Sequence, residues 1–344
     1  MRASSKKTEV VAKRATIRDV AARAGVSKSL VSLVFSDPAA VSADKKRRVL
    51  KAAEDLNFTP NFLARSLATG SGIFVGILVA DLHNPLFAEI VDFVRLELEG
   101  AGEYGFMTSA MLPGLDGVPR LDSRTVNALI DLRPRSVLVV GSISDLSPLD
   151  KIPADVQIVV ASAIPSKLKR AISVRTDDSQ GMALIVDHLV ERGHKNIAHI
   201  GGGGGKVSLG RAKAYEDAMN ANGLKKYIHI EDADFTEKSG YKAALKMLKS
   251  SKRPTAITAA NDLVAIGIED AIKEMGLSNI AVTGYDNTYL ADIKTISLTS
   301  VDQDNAEIAA QAVKWLTGVE SIKAGGQFLV QPRLIIRDSS SARY

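Results

Sequence analysis

Thr16-Ile17-Arg18-Asp19-Val20-Ala21-Ala22-Arg23-Ala24-Gly25-Val26-Ser27-Lys28-Ser29-Leu30-Val31-Ser32-Leu33-Val34-Phe35 spells out two short helices and the turn between them. Thr16 stands where a cap oxygen can accept the amide three residues on, and Asp19 can reach back to it as in a capping box. Ile17, Val20, Ala21 and Ala24 recur at the spacing of one helix face, which predicts that this face is buried. Gly25 suits the left-handed residue that stops a helix, and Ser27 can cap the next one at once. The second helix, from Lys28 to about Phe35, turns Val31 and Val34 inward with Val26 and leaves Lys28, Ser29, Ser32 and Leu33 outside. Two short helices joined by so tight a glycine turn form a helix-turn-helix.

Further along, Ser42 caps a third helix, in which Val49, Ala53 and Leu56 are apolar and Lys45-Lys46-Arg47-Arg48 make a basic first turn. Residues 16–60 thus read as a small all-α domain behind a basic extension, residues 1–15. After Thr59-Pro60-Asn61, the segment Phe62 to Ala68 has helical propensity but spans only about eight residues, below the ~12–15 that an isolated helix needs in water. Thr69-Gly70-Ser71-Gly72 then breaks it. Residues 61–72 are therefore expected to order only against something else. Charge follows the same division: residues 1–70 hold 14 Lys and Arg against 6 Asp and Glu, and the remainder 30 against 33. A patterned basic head on a mildly acidic body points to a polyanion as the head's partner.

The 344 residues are 46% hydrophobic and 24% charged, with no cysteine. That describes a folded chain without disulfides or thiolate zinc, suited to a reducing compartment. No apolar stretch follows the basic N-terminus as in a secretory signal, and the longest clean apolar run, residues 73–80, falls far short of the ~20 residues of a membrane helix. The expectation is a cytoplasmic protein with no membrane partner.

From residue 73 to about 338, short apolar runs alternate with amphipathic stretches, which predicts a parallel α/β sheet with crossover helices. Strands are expected at 74–79, 136–140, 157–161, 197–200, 256–258 and 280–283, and helices at 87–100, 181–192, 210–222, 239–248 and 264–275. Polar residues recur at the strand ends: Asp81 and Asn84, Ser142 and Asp145, Ser162, Asn261 and Asp262, Asp286 and Asn287. Doubly wound sheets bind ligands outside the carboxyl ends of their strands, so the recurrence is a cleft signal, although any single member can be a helix N-cap.

Residues 16–24, Gly25-Val26-Ser27, Val41-Ser42, Leu56-Asn57-Phe58-Thr59-Pro60-Asn61 and Ala64-Arg65-Ser66-Leu67 resemble, in order and spacing, the headpiece of the lactose/galactose repressor (LacI/GalR) family, and the resemblance extends over nearly all of the chain. It implies an N-terminal helix-turn-helix followed by a two-lobed, doubly wound effector domain like that of periplasmic binding proteins. It also implies a transcription regulator, in most such proteins a repressor, that binds double-stranded operator DNA as a homodimer on a pseudo-palindrome. Thr16, Ser27, Lys28, Ser29, Ser32 and Leu33 would face the major groove. Residues 61–72 would be a hinge helix and linker, with Asn61, Ala64 and Leu67 in the minor groove and Leu67 in the position of an apolar wedge; read alone, Leu67 is an ordinary linker residue. Leu30 and Leu33 depart from the family's usual Thr and Arg. Losing that Arg removes a bidentate guanine contact of ~1–3 kcal/mol.

In the body, Gly210-Arg211-Ala212-Lys213-Ala214-Tyr215 is similar to the family's Arg-x-x-Gly-aromatic element, with Ala214 where glycine is usual. The resemblance nominates Arg211, Asn261, Asp286 and Phe235 as effector contacts, and adds Asn84, Phe87, Ser142, Ser162 and Gln303. The bland alternatives are a structural ion pair for Arg211 and Asp286, and a core residue for Phe235. Polar groups around an aromatic favour a sugar or related polar metabolite. A second reading is a sugar-binding protein without DNA activity, against which the basic head argues. A third is a nicotinamide-dependent dehydrogenase; however, Gly201–Gly205 admits no register of Gly-x-Gly-x-x-Gly. The five histidines show no metal or nucleophile spacing, and Trp315 reads as core. No enzyme activity, cofactor or metal is expected.

Overall fold

The computed structural model describes residues 15–59, 72–109, 111–112, 120–250 and 253–341. The chain divides into two units, Met1–Gly70 and Ser71–Tyr344. The expected hinge positions Asn61, Ala64 and Leu67 lie outside the described residues.

In the first unit, α1 (Ile17–Ala24), α2 (Lys28–Ser36) and α3 (Ala43–Asp55) form the three-helix head. Asp19 takes the backbone N–H and the hydroxyl of Thr16 at 2.8 and 2.7 Å, the reach-back half of the cap read from sequence. Gly25 adopts the left-handed conformation, φ 63°, and Ser27 Oγ accepts from Leu30 N at 3.2 Å. Ser42 precedes α3 but makes no side-chain cap bond. The core consists of Val20, Ala21, Ala24, Val31, Val34, Val41, Val49, Ala52 and Ala53, edged by Ile17, Val26, Leu30, Phe35, Leu56 and Phe58. Alanines and valines at the crossings let short helices approach closely.

The second unit holds two six-stranded sheets among its described residues. The first runs β13 (Gln327–Val330), β7 (Ile172–Thr176), β6 (Gln157–Ala161), β5 (Ser136–Val140), β1 (Phe74–Val79), β2 (Tyr104–Ser109), all parallel. The second runs β14 (Arg333–Ile335), β12 (Thr299–Asp302), β11 (Ala281–Asp286), β10 (Ala256–Ala259), β8 (Ile197–Ile200), β9 (Ile230–Glu231), parallel except for β14. A hairpin of β3 (Met111–Leu112) and β4 (Arg120–Leu121) stands apart. Helices α4 (Pro85–Gly100), α5 (Ser123–Asp131) and α10 (Asn305–Thr317) accompany the first sheet; α6 (Asp178–Glu191), α7 (Lys206–Ala221), α8 (Glu237–Leu248) and α9 (Asp262–Glu274) accompany the second. The chain therefore passes between lobes at residues 176–178, 302–305 and 330–333.

All six expected strands form, β11 three residues longer at its polar end. The expected helices form too, each beginning two to four residues earlier than the apolar pattern indicated; the first turns of α6 and α8 are polar, and α4 starts at Pro85, directly after its cap Asn84. Strands β2, β3, β4, β7, β9, β12, β13 and β14 were not expected. Strand β2 is an edge strand with exposed Tyr104, Phe106 and Met107, so it has no alternation to read. Strand β12 buries Thr299 and Ser300, which do not signal a core. Strand β13 joins its sheet beside β7, more than 150 residues earlier in the chain, a pairing without local signature. Trp315 is core as read, packed edge-on against Phe328 with ring centroids 6.2 Å apart.

Candidate DNA-reading face and effector cleft

On the head, burial of Val31 and Val34 fixes the roll of α2 and leaves Lys28, Ser29, Ser32 and Leu33 exposed, with Thr16 exposed beside them. Leu30 is half-buried against the core. The basic turn of α3 divides in two. Arg48 donates to Ala24 O at 2.7 Å and so closes the C-terminus of α1. Lys45 is exposed, and Arg47 pairs with Asp44 at 2.7 Å on the surface. Lys45–Arg48 form one basic turn in sequence, but in space Arg48 is a structural brace.

The body's polar cluster is centred on Arg211, on α7. Nε donates to Asp178 Oδ1 at 2.9 Å, and Nη1 to Ala260 O at 2.6 Å and to Asp286 Oδ1 at 3.2 Å. The guanidinium carbon lies 3.6 Å from the centroid of the Tyr285 ring. Burial works against its charge, but Asp178 and Asp286 hold it firmly protonated. The Asp286 carboxyl is displaced the other way, above the usual carboxylate range. Burial is the main cause; Arg211 opposes it and nearby Asp262 reinforces it. Asp286 also carries a left-handed φ of 107°, as Ser162 does at 54°. Non-glycine residues held there concentrate at functional sites.

Gln303, in the second crossover, ties this cluster to the other lobe. Its Nε2 donates to Asp286 Oδ1 at 2.5 Å, and its Oε1 accepts from Ser162 Oγ at 3.3 Å and Thr176 Oγ1 at 3.1 Å. Asn261 follows Ala260, the carbonyl on Arg211; its Nδ2 donates to Phe235 O at 3.1 Å, and its Oδ1 caps α9 at Val264 N, 2.9 Å. Of the nominated residues, Ser162, Arg211, Asp286 and Gln303 thus share one network, and Asn261 and Phe235 adjoin it. Asn84 caps α4 through Leu86 N at 3.1 Å. Phe87 lies against Gly141, where a Cβ would fall 2.5 Å from the ring, one residue before half-buried Ser142. Asn84, Phe87 and Ser142 make no bond to the Arg211 network.

The sequence reading missed Asp178 and Tyr285. Asp178 was hidden in the acidic pair Asp177-Asp178, where Asp177 is the ordinary N-cap of α6. Tyr285 was hidden beside Asp286, whose polarity at the strand end drew the nomination. A partial signal existed at Gly181, where a Cβ would sit 2.3 Å from Tyr285 Oη: glycine there lets α6 cross the ring. The glycine run 201–205 has a packing cause as well. A Cβ on Gly201 would lie 2.5 Å from His199 Nε2, one on Gly203 2.8 Å from Ala233 O, and one on Gly204 2.9 Å from the Phe235 ring.

A three-helix DNA-reading head followed by a two-lobed body with a polar cluster between its lobes defines a ligand-controlled DNA-binding regulator. Residues 16–61 match the lacI family of bacterial regulatory proteins, and residues 186–340 a periplasmic binding protein-like domain. The chain is 30% identical over 338 residues to the HTH-type transcriptional repressor PurR of Pasteurella multocida, covering 96% of this chain and 99% of that protein. It is 30% identical over 310 residues to catabolite control protein A of Priestia megaterium, covering 88% and 91%. The crystal structure of the lac repressor dimer bound to operator and the anti-inducer ONPF matches with a TM-score of 0.80 at 25% identity, over 95% of this chain and 99% of that one. The chain belongs to the LacI family of bacterial regulatory proteins. It is a DNA-binding transcriptional repressor with an effector domain, and not an enzyme. Among the described residues no helix is long and apolar enough to cross a membrane.

Proposed function

We propose that this chain acts in the cytoplasm as a homodimeric repressor of a pseudo-palindromic operator, released or engaged by a small polar metabolite of the sugar class. The observation that carries the DNA half is the exposed row Lys28, Ser29, Ser32 and Leu33 on a helix whose roll is fixed by Val31 and Val34. A helix so placed enters the major groove by its N-terminal residues. Lys28 and Ser29 reach base edges, and Leu33, without hydrogen-bonding capacity, suits a thymine methyl rather than a guanine. Asn61, Ala64 and Leu67 complete the reader in the minor groove, where two half-sites bring two hinges together. Lys45 and the basic extension supply salt-dependent phosphate affinity.

The effector half rests on the convergence of Ser162, Arg211, Asp286 and Gln303 between the lobes, with Asn261 and Phe235 beside them; Asn84, Phe87 and Ser142 of the first lobe are proposed as further contacts. Closure of the lobes on a ligand alters operator binding by the head through residues 61–72, a coupling of ~1–3 kcal/mol. Selection of bound duplexes from a random pool, with and without a panel of sugars and phosphorylated sugars, tests both halves. Enrichment of a twofold-symmetric site, with altered yield under one metabolite, is the expected result. A pool without sequence enrichment under every condition refutes the reading.

A further inference from the structure

Gln303 stands among the effector contacts proposed above, yet its own bonds also join the two lobes. It is buried, at 1% exposure, in the crossover where the chain leaves the second lobe for the first. Around it the polar groups form a continuous circuit. Arg175, on β7 of the first lobe, donates to Asp178 Oδ2 at 2.9 Å. Asp178 holds Arg211, Arg211 holds Asp286, and Asp286 accepts from Gln303 Nε2. The circuit returns to the first lobe through Ser162 and Thr176, and the single Thr176 hydroxyl proton is shared between Gln303 Oε1 at 3.1 Å and Gln303 O at 3.0 Å. Two of the interlobe passages, at 176–178 and 302–305, thus carry members of one circuit that runs through the effector cluster.

We infer that Gln303 is a positioning residue that couples the Arg211–Asp286 pair to closure of the two lobes. A side-chain amide presents a donor to a carboxylate and an acceptor to two hydroxyls at the same time, at any pH. Whatever engages Asp286 therefore alters the Nε2 bond, and the other end of the same rigid amide alters the hold on Ser162 and Thr176. This inference rests on the effector reading above for its biological meaning, but its geometry is testable without any effector. The groups facing Asp286 are Arg211, Gln303 and Asp262, with Tyr285 beneath the guanidinium and Asp178 and Arg175 behind it. The parent amide can serve Asp286 whether that carboxyl is ionised or protonated. A carboxyl at position 303 could do so only while one of the two holds a proton.

The chain has no cysteine, so cysteines placed at exposed Lys151 and Lys226 carry a spin-label pair across the lobes. Doubly labelled chains are diluted into unlabelled full-length chain, and the distance distribution is read by pulsed dipolar spectroscopy without added ligand. Gln303→Leu is expected to add a longer-distance population absent from the parent. Gln303→Glu is expected to match the parent at acid pH and to shift to the longer population as pH rises, while the parent stays unshifted. Thr176→Val and Ser162→Ala remove the first-lobe anchors singly and serve if Gln303→Leu does not fold. Distributions superposable on the parent in every folded variant would overturn the inference. A longer population in the variants, together with no metabolite altering operator binding, would sustain the coupling role and reject the effector reading instead.

Discussion

Arg211 and Asp286, 75 residues apart in sequence, meet at 3.2 Å with each only 3% exposed. Their pairing matters because Arg211 also neutralises Asp178, so that one guanidinium serves two buried carboxylates. Removing one partner of a buried pair leaves charge without compensation and costs about 3–5 kcal/mol. Arg211→Met is therefore expected to lose stability on that order in urea unfolding near neutral pH. Asp286→Asn is expected to lose much less, since Arg211 keeps Asp178 and Ala260 O. Equal losses from the two substitutions would show that the pair is not organised around the arginine.

The same burial has a pH signature. The Asp286 and Asp262 carboxyls both stand above the ordinary value of 3.8, burial being the main cause in each. For Asp262, hydrogen bonds from Ser300 and Thr288 partly offset it. A carboxyl whose folded pKa is raised binds its proton more tightly when folded. Its contribution is fully present below the unfolded pKa and is lost as pH rises through the folded one. The contribution of these two carboxyls to the unfolding free energy should thus fall from about pH 4 toward neutrality, by at most ~1.4 kcal/mol per pH unit for one proton. Buried His199, whose pKa is lowered by burial, contributes an opposite slope. Asp286→Asn should flatten that fall, because it removes one titrating group and lessens the repulsion on Asp262. The single tryptophan, Trp315, reports unfolding of the first lobe by fluorescence. A difference in stability between the parent and Asp286→Asn that stays constant over this interval would contradict the assignment.

What could be read from the sequence divides along physical lines. The head was legible because its caps, left-handed glycine and apolar spacing are all local: Asp19, Gly25 and Ser27 behave in space as their neighbours in sequence require. The buried strands β1, β5, β6 and β8 were legible as apolar runs. What escaped depends on long-range closure. Strand β13 acquires meaning only beside β7, and Asp178 only once α7 brings Arg211 to it. Asn84 and Asn261 were nominated for polarity at strand ends, yet the chain already uses both as helix caps. Sequence cannot separate a capping asparagine from one reserved for a ligand, because both roles demand a polar residue at the same turn.

Lys45 and Arg48 are chemically similar and three residues apart, but they should respond differently to substitution. Lys45 is exposed and free to meet phosphate, so Lys45→Ala should weaken operator binding across sequences and reduce the slope of log affinity against log salt by about one. Arg48 spends a terminal nitrogen on Ala24 O at the end of α1. Arg48→Met should mainly lower the stability of the head, by roughly 1–3 kcal/mol for an orphaned carbonyl and a lost charged hydrogen bond, with the salt slope little changed. Fluorescence anisotropy in a salt series, alongside thermal melts of the full chain, separates the two. Matching salt slopes for both variants would return Arg48 to the DNA surface.

The glycines around α7 offer the sharpest contrast. Gly203 has no room: a Cβ would lie 2.8 Å from Ala233 O and 3.1 Å from Asp234 N, and backbone atoms in a packed turn do not yield cheaply. Gly210 lies inside α7 with nothing within 4 Å of its Cβ position, so there it only weakens the helix. Alanine should accordingly act in opposite directions. Gly203→Ala should destabilise the second lobe and lift Phe235 and its neighbours from the glycine run. Gly210→Ala should stabilise the chain by ~0.5–1 kcal/mol through reduced backbone entropy in the unfolded state. Urea midpoints of the two variants against the parent decide it. If both fell, α7 would need a glycine beside Arg211 for a reason other than backbone freedom. If both rose, the tight packing of residues 201–205 on 233–235 would not hold in solution.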